Sequence, residues 1–420
     1  MRKVIFLICS VALGLAASAA DPTATHYTAS ECQGSAMPYP VPDQTPRTIP
    51  DSLTPIFVNH IGRHGARFLS SSKYTTTLGR YLNRADSLHT ITAAGRELQK
   101  LCDNVIHNTA GRWGALDSLG MAEQRGIASR LHALVPALFN DTKINAISSY
   151  VPRCVASMDE FTHQLTRLDN RVEIYTASGR QNSPLLRPWT HDTDYKDYID
   201  SKSWHEVYDS FANAMTPETV AHRILGDKYP FAPGEAQDVT LSVYKVVAGC
   251  ASMSIQADAS KYMTVEEYNA LWSIENLHHY LTHSASTLSQ APMDMAAALL
   301  TDLMETMDQA AKGANEYSVM LRFGHAETMM PLLALMRLPG CYYMTNYFDT
   351  VGLHWRDFHV VPMASNMQMF LFKSKSGQLY VRVDLNEIPV PLIPGRNAIY
   401  TPWDKAKEYM LRCLPLYLQP

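Results

Sequence analysis

An apolar run that stops on a charged, glycine-bearing turn does most to limit what this chain of 420 residues can fold into. Ile56-Phe57-Val58 reads as a short buried strand, and Arg63-His64-Gly65-Ala66-Arg67 behind it reads as the turn where the strand ends. Two guanidiniums therefore flank one imidazole. Each Arg carries a permanent charge on a planar fork of donors suited to phosphate oxygens, while a neutral His can act as base, metal ligand or nucleophile. Phosphoryl transfer to His64 is the chemistry this points to. A lone Arg-His pair would read as a basic surface turn, but Arg-His-Gly-x-Arg directly after an apolar strand is a more specific string.

With 46% hydrophobic and 18% charged residues the chain is globular and well cored, which excludes disordered and fibrous classes. Met1 to Ala20 carries Arg2 and Lys3, an apolar run from Val4 to Leu15 and then Ala17-Ser18-Ala19, the three parts of a cleavable signal peptide. That run is shorter than the roughly 20 residues that span a bilayer, and Cys9 follows Ile8 rather than a small residue. The expectation is an exported protein, periplasmic or secreted, with no stable membrane anchor. Cleavage would leave Cys32, Cys102, Cys154, Cys250, Cys341 and Cys413, an even set that permits disulfides without choosing a pairing. Losing Arg2 and Lys3 also moves the formal charge from -4 to -6, which speaks against nucleic acid as a partner. An anionic substrate would need a local cluster of Arg and Lys.

Residues 21–54, with Pro38, Pro40, Pro42, Pro46 and Pro50, predict an extended lead-in laid over the surface. Helical periodicity follows over Thr90 to His107 and Ser118 to Leu138, then a strand over Ile144 to Ile147 and a helix over Cys154 to Leu165. From 176 to 305 helical signals dominate, including Thr216-Pro217-Glu218 as one start and Thr264 with Glu267 as a capping box for a helix to about His283. Residues 226–237 read as a loop between them. Strand signals return at Tyr317 to Phe323, followed by Gly324-His325-Ala326-Glu327 and a helix over Thr328 to Met336. Asn366 to Phe372 and Leu379 to Leu385 form a hairpin. The expected fold is α/β: a mostly parallel central sheet flanked by helices, built from 21–175 and 306–420. Residues 176–305 read as an inserted, mainly helical domain, the alternative being a continuation of the core.

Three turns, each placed where a strand gives way to a helix, carry Arg63-His64-x-x-Arg67, Arg153 and His325-x-Glu327. In open α/β sheets ligands bind at that edge, where helix N-termini favour a phosphate. Arg63, Arg67 and Arg153 would hold the phosphoryl oxygens with His325 beside them. Surrounding cations would keep His64 unprotonated for attack, and Glu327 would protonate the leaving oxygen and then activate water. Nothing in this scheme requires a metal. His279 and His283 share a helix face and could chelate one, but no third ligand is evident, so that face, with His278, is expected to be solvated.

With all three turns in view, the chain resembles the histidine acid phosphatase branch of the histidine phosphatase superfamily, and within it the multiple inositol polyphosphate phosphatases. Arg63-His64-Gly65-Ala66-Arg67 matches the nucleophile motif, and Ser149 through Ser157 matches the segment that supplies the third phosphate-binding residue, Arg153. His325-Ala326-Glu327 departs from the His-Asp of typical acid phosphatases and of fungal or enteric phytases and fits the inositol polyphosphate group, so the common phytases' positional preference is not carried over. The resemblance implies an α/β core with a helical insertion, a phosphohistidine intermediate, no cofactor or metal, and stepwise removal of phosphates from inositol hexakisphosphate. A polyanionic substrate needs further positive contacts. Lys73, in the Ser70-Ser71-Ser72-Lys73 loop, and Arg187, in Leu185-Leu186-Arg187-Pro188, are the candidates. A broad acid or sugar phosphatase, and a phosphoanion-binding protein without turnover, are the competing readings.

Overall fold

The computed structural model describes residues 27–42, 48–140 and 142–419; the leader expected at 1–20 lies outside them. Eight strands form one sheet: β1 (Leu53–Arg63), β2 (Lys143–Ser148), β3 (Glu173–Ala177), β4 (Val319–Gly324), β5 (Asn366–Ser374), β6 (Leu379–Leu385), β7 (Ile388–Val390) and β8 (Thr401–Pro402). The order is β3-β2-β4-β1-β5-β6-β7, with β8 paired to β6. From β3 to β1 the strands are parallel; beyond β1 every pairing is antiparallel. The sheet is thus mixed, and "mostly parallel" holds only approximately, because the hairpin of β5 and β6 extends one edge by short local connections.

Period-two alternation decides what each face of the sheet buries. Phe57 and Ile61 of β1 with Met367, Met369 and Leu371 of β5 point into a core closed by helices Ala297–Ala311 and Ala326–Leu335. Val58, Phe323, Phe370 and Phe372 point into the opposite core, closed by helices Ser118–Leu134 and Pro152–Leu168 through Ile127, Leu131 and Phe161. Covered on both faces, β1 is buried without interruption from Phe57 onward.

Several expectations shift. Helix Lys73–Ser87 and the short β3 were not anticipated. The helix expected over Ser118 to Leu138 ends at Leu134, and a tighter turn starts at Pro136, whose ring cannot continue an α-helix. Between β3 and β4 the described residues form helices and loops only, and Thr264 and Glu267 do make the capping box of Val265–His283. That helical layer also takes in the two early helices, since Leu78, Leu82 and Leu98 share a core with Ile224, Val239 and Val243. The described part of the lead-in is only partly laid over the surface: Tyr27, Cys32, Met37 and Tyr39 are buried, and Glu31–Ala36 is a short helical turn. All six described cysteines are free and buried, so the permitted disulfides do not form. No described helix is long and apolar enough to cross a membrane.

One buried residue ties stability to pH. His60 on β1 packs between Phe161 and Phe323 at 4.8 and 5.6 Å, neither ring nitrogen has a hydrogen-bond partner among the described residues, and burial, with Arg322 nearby, pushes it from 6.5 down to about 3. Between those values the unfolded chain binds a proton that the folded chain refuses, so stability falls as pH drops below 6.5. His60→Leu removes this term. Going from pH 7.5 to 4.5, the variant should lose about 3 kcal/mol less than the parent, read as unfolding free energies at the two pH values so that any constant packing cost cancels.

Candidate active site

Because β2, β4 and β1 are parallel neighbours, their carboxyl ends share one rim: Arg63 lies opposite Gly324, and Ser148 opposite Phe323. The His64 N–H continues the ladder to Gly324 O at 3.1 Å, and that of Ser149 to Phe323 O at 2.9 Å. His64 and His325 therefore stand side by side, ring centroids 5.8 Å apart. Pro152 begins the helix after β2 and leaves Arg153 in its first turn, where Nη2 lies 3.4 Å from His325 Nδ1. His325 caps the helix after β4, placing Glu327 in that first turn.

The Arg63–Arg67 turn is held from its far side by helices Ser118–Leu134 and Pro152–Leu168. Glu123 accepts the N–H groups of Ala66 and Tyr39, each at 2.7 Å; Gln124 Nε2 donates to Arg63 O at 3.0 Å; Ser157 Oγ accepts the Gly65 N–H at 3.1 Å. The backbones approach so closely that a Cβ on Gly65 would lie 2.5 Å from Gly120 O, and one on Gly120 2.2 Å from Ala66 O. Glycine is required at both positions. Arg63 is gripped by two carbonyls, Ser35 O and Val361 O, both 2.6 Å from Nη1. Nε of Arg63, Arg67 and Arg153 is buried without a hydrogen-bond partner among the described residues. Buried donors of this kind call for an acceptor, and the chemistry of three guanidiniums selects an oxyanion.

Electrostatics sort the groups into roles. The His64 Nδ1–H donates to Gly65 O at 2.9 Å, since a carbonyl can only accept, so Nε2 carries the lone pair. Burial, then Arg63, Arg153, Arg67 and His325, hold this imidazole well below its usual range, and it stays neutral in acid. Burial and mutual repulsion bring Arg67 down to about 9; Arg63, with burial opposed in part by Glu327, sits at about 10. Burial alone would raise Glu327, but His283, His325, its own backbone N–H and Arg63 outweigh it and hold the carboxyl at about 2. His325 Nε2 lies 3.0 Å from Ser149 Oγ; with a proton there, the nitrogen facing Arg153 is an acceptor.

Of the residues expected to bind substrate, Arg187 stands at the pocket's edge: it lies over Tyr150 at 4.8 Å and Trp189 at 5.4 Å, and Trp189 meets His325 edge-on at 5.5 Å. Lys73 is exposed at the start of a helix, not in a loop, with its ammonium 5.7 Å from the ring of Tyr74, and no described contact joins it to the pocket. The histidine face expected to be solvated is not. His279 Nδ1 is 3.0 Å from Asp357 Oδ2, and Asp357 also accepts the Ser35 N–H and Trp272 Nε1–H; His283 Nε2 is 3.2 Å from the Tyr195 hydroxyl. The spacing that put both on one helix face was legible, but the partner of that face was not. Ser35 was missed as well, since a backbone carbonyl leaves no side-chain signal. Among the described residues no group of three or more potential metal ligands occurs.

The model of the histidine phosphatase superfamily, branch 2, matches residues 56–386, which takes in all three turns of the rim. The chain belongs to that family. Human multiple inositol polyphosphate phosphatase 1 is 22% identical over 313 residues, 68% of this chain. The chain spans 63% of the length of that relative. Among solved structures, the multiple inositol polyphosphate phosphatase of Bifidobacterium longum in complex with inositol hexasulfate superposes with a TM-score of 0.75 at 18% identity, covering 92% of this chain and 99% of that one. The phytase from D. castellii superposes at 0.71 and 15% identity, over 91% of this chain and 85% of that one. At such identities the likeness to these structures is one of fold.

Proposed function

We propose that this chain is an exported phosphomonoesterase that removes phosphates stepwise from inositol polyphosphates through a phosphohistidine on His64. The observation that carries the reading is a lone-pair Nε2 set among Arg63, Arg67 and Arg153, with a carboxyl at the end of the adjacent strand. Phosphoryl transfer depends mainly on position and charge, and this rim supplies both. The arginines take the phosphoryl oxygens, His325 serves them chiefly by facing Arg153, and Glu327 protonates the leaving alkoxide and then draws a proton from the attacking water. Arg187 extends the positive surface toward neighbouring phosphates; Lys73 is a more distant candidate for the same task. Residues 176–305 act in this reading as an inserted helical domain that roofs the rim. The names of the human and Bifidobacterium relatives support inositol polyphosphate as substrate.

Rates on inositol hexakisphosphate, a sugar monophosphate and an aryl phosphate test the substrate, with chromatography of the inositol products over time. Preference for the polyphosphate and a ladder of lower inositol phosphates is the expected result. Faster turnover of the small esters would make this a broad acid or sugar phosphatase, and binding without phosphate release would make it a phosphoanion-binding protein.

A further inference from the structure

Arg63 owes its direction to two backbone carbonyls, and both lead to one buried carboxylate. An NH2 group of a guanidinium carries two hydrogens in the plane of the fork. Two acceptors on Nη1, Ser35 O and Val361 O, therefore fix that plane and with it the aim of the remaining donors. Each acceptor belongs to a residue whose own N–H ends on Asp357. That of Ser35 reaches Oδ2 at 3.0 Å, and that of Val361 reaches the Asp357 main-chain carbonyl at 2.7 Å, across the short helix Asp357–Val360. Asp357 is fully buried.

One face of helix Val265–His283 holds this residue in turn. Trp272, Asn276 and His279 recur at the i, i+4, i+7 spacing that lines one side of a helix. The Trp272 Nε1–H donates to Oδ1 at 2.9 Å, Asn276 Oδ1 accepts the Asp357 N–H at 2.8 Å, and His279 Nδ1 lies 3.0 Å from Oδ2. Both carboxylate oxygens already accept N–H groups, so the ring meets Oδ2 as a donor. Its other nitrogen faces Glu275 at 3.8 Å, and Glu275 pairs with Lys245. Backbone closes the opposite flank, since a Cβ on Gly34 would lie 2.8 Å from Oδ2 and 3.1 Å from Oδ1. A carboxylate fixed on all these sides has one orientation, and the carbonyls tied to it have one place.

We propose that Asp357 is the positioning residue of the anion clamp: through Ser35 and Val361 it aims the Arg63 guanidinium, and His279 locks it in that role. The inference rests on the reading of Arg63 as a ligand of phosphoryl oxygens. Helix Val265–His283 thereby reaches the clamp without sending a side chain into it.

A double-mutant cycle tests this, read as the Kd for inorganic phosphate by titration calorimetry at one pH, which needs no turnover. Asp357→Asn keeps the shape but turns one acceptor into a donor that faces an N–H, so Kd should rise about tenfold. In the Arg63→Met background, where the guanidinium it aims is gone, the same change should alter Kd by less than about twofold. His279→Leu should raise Kd about threefold. His279→Asn, whose amide N–H can stand near the place of Nδ1, should hold it close to the parental value. Equal factors for Asp357→Asn in both backgrounds, or an unmoved Kd beside a lowered unfolding free energy, would mark a purely structural residue and overturn the inference. Should Asp357→Asn or Arg63→Met not fold, the two His279 variants decide: a Kd that Leu leaves in place, or that Asn raises as much as Leu, overturns it equally. If Arg63→Met binds phosphate as tightly as the parent, the reading of Arg63 as a phosphate ligand fails; if it binds more weakly while Asp357→Asn acts independently of it, only the positioning role fails.

Discussion

His64→Ala should lower turnover of inositol hexakisphosphate by at least about a thousandfold while leaving its binding largely intact. The three guanidiniums proposed to hold the phosphoryl oxygens are fixed by contacts that do not pass through the imidazole: Arg63 by the Ser35 and Val361 carbonyls, Arg67 by Phe68 O, and Arg153 by its place in the first turn of a helix. In the proposed mechanism, removing the ring takes away the atom that attacks phosphorus but not the charge that attracts it. Dissociation constants from calorimetry, set beside single-turnover rates, separate the two effects. A variant with its rate intact would remove the covalent mechanism; one that neither binds nor turns over would show that the ring also shapes the pocket.

Glu327→Gln should divide substrates by leaving group. An inositol alkoxide must be protonated as it departs, so its ester should slow by about a hundred- to ten-thousandfold. A nitrophenolate leaves unaided, so its ester should slow far less. Gln keeps the size and can still donate a hydrogen bond to the leaving oxygen, but it cannot transfer a proton. Its amide also lacks the negative charge that opposes repulsion among the arginines, so a small common loss on both esters is expected beneath the large difference. Equal losses on the two would place the acid elsewhere.

What could be read in advance was local. Thr264 and Glu267 specify a helix start because the capping box closes within three residues, and β1, β4 and the β5–β6 hairpin each carry their own alternation and turn chemistry. The rim residues were legible because each turn follows directly on a strand. Helix Lys73–Ser87 escaped since Thr75, Thr76, Thr77 and Gly79 are poor helix formers, and its inward positions are buried against the distant helix that carries Val239 and Val243 as well as against helix Ala93–Thr109. β3 escaped because it is short and sits at an edge with much of its surface open, so no apolar run marks it. The pairing of His279 with Asp357 depends on distant segments meeting, and no single-sequence periodicity encodes what lies across from a helix face. Ser35 joined the site by its carbonyl, which any residue type would supply.

The grip of Ser35 on Arg63 carries a practical corollary. The same residue donates its N–H to the buried Asp357, and a Cβ on the preceding Gly34 would crowd that carboxylate at 2.8 Å. The front of the folded chain is thus mortised into the anion clamp rather than hung in front of it. Trimming the protein past Glu31, or tethering a carrier tightly there, would loosen a guanidinium that lies more than two dozen residues downstream in sequence, and an assay on such material would mistake damaged carpentry for a missing catalyst.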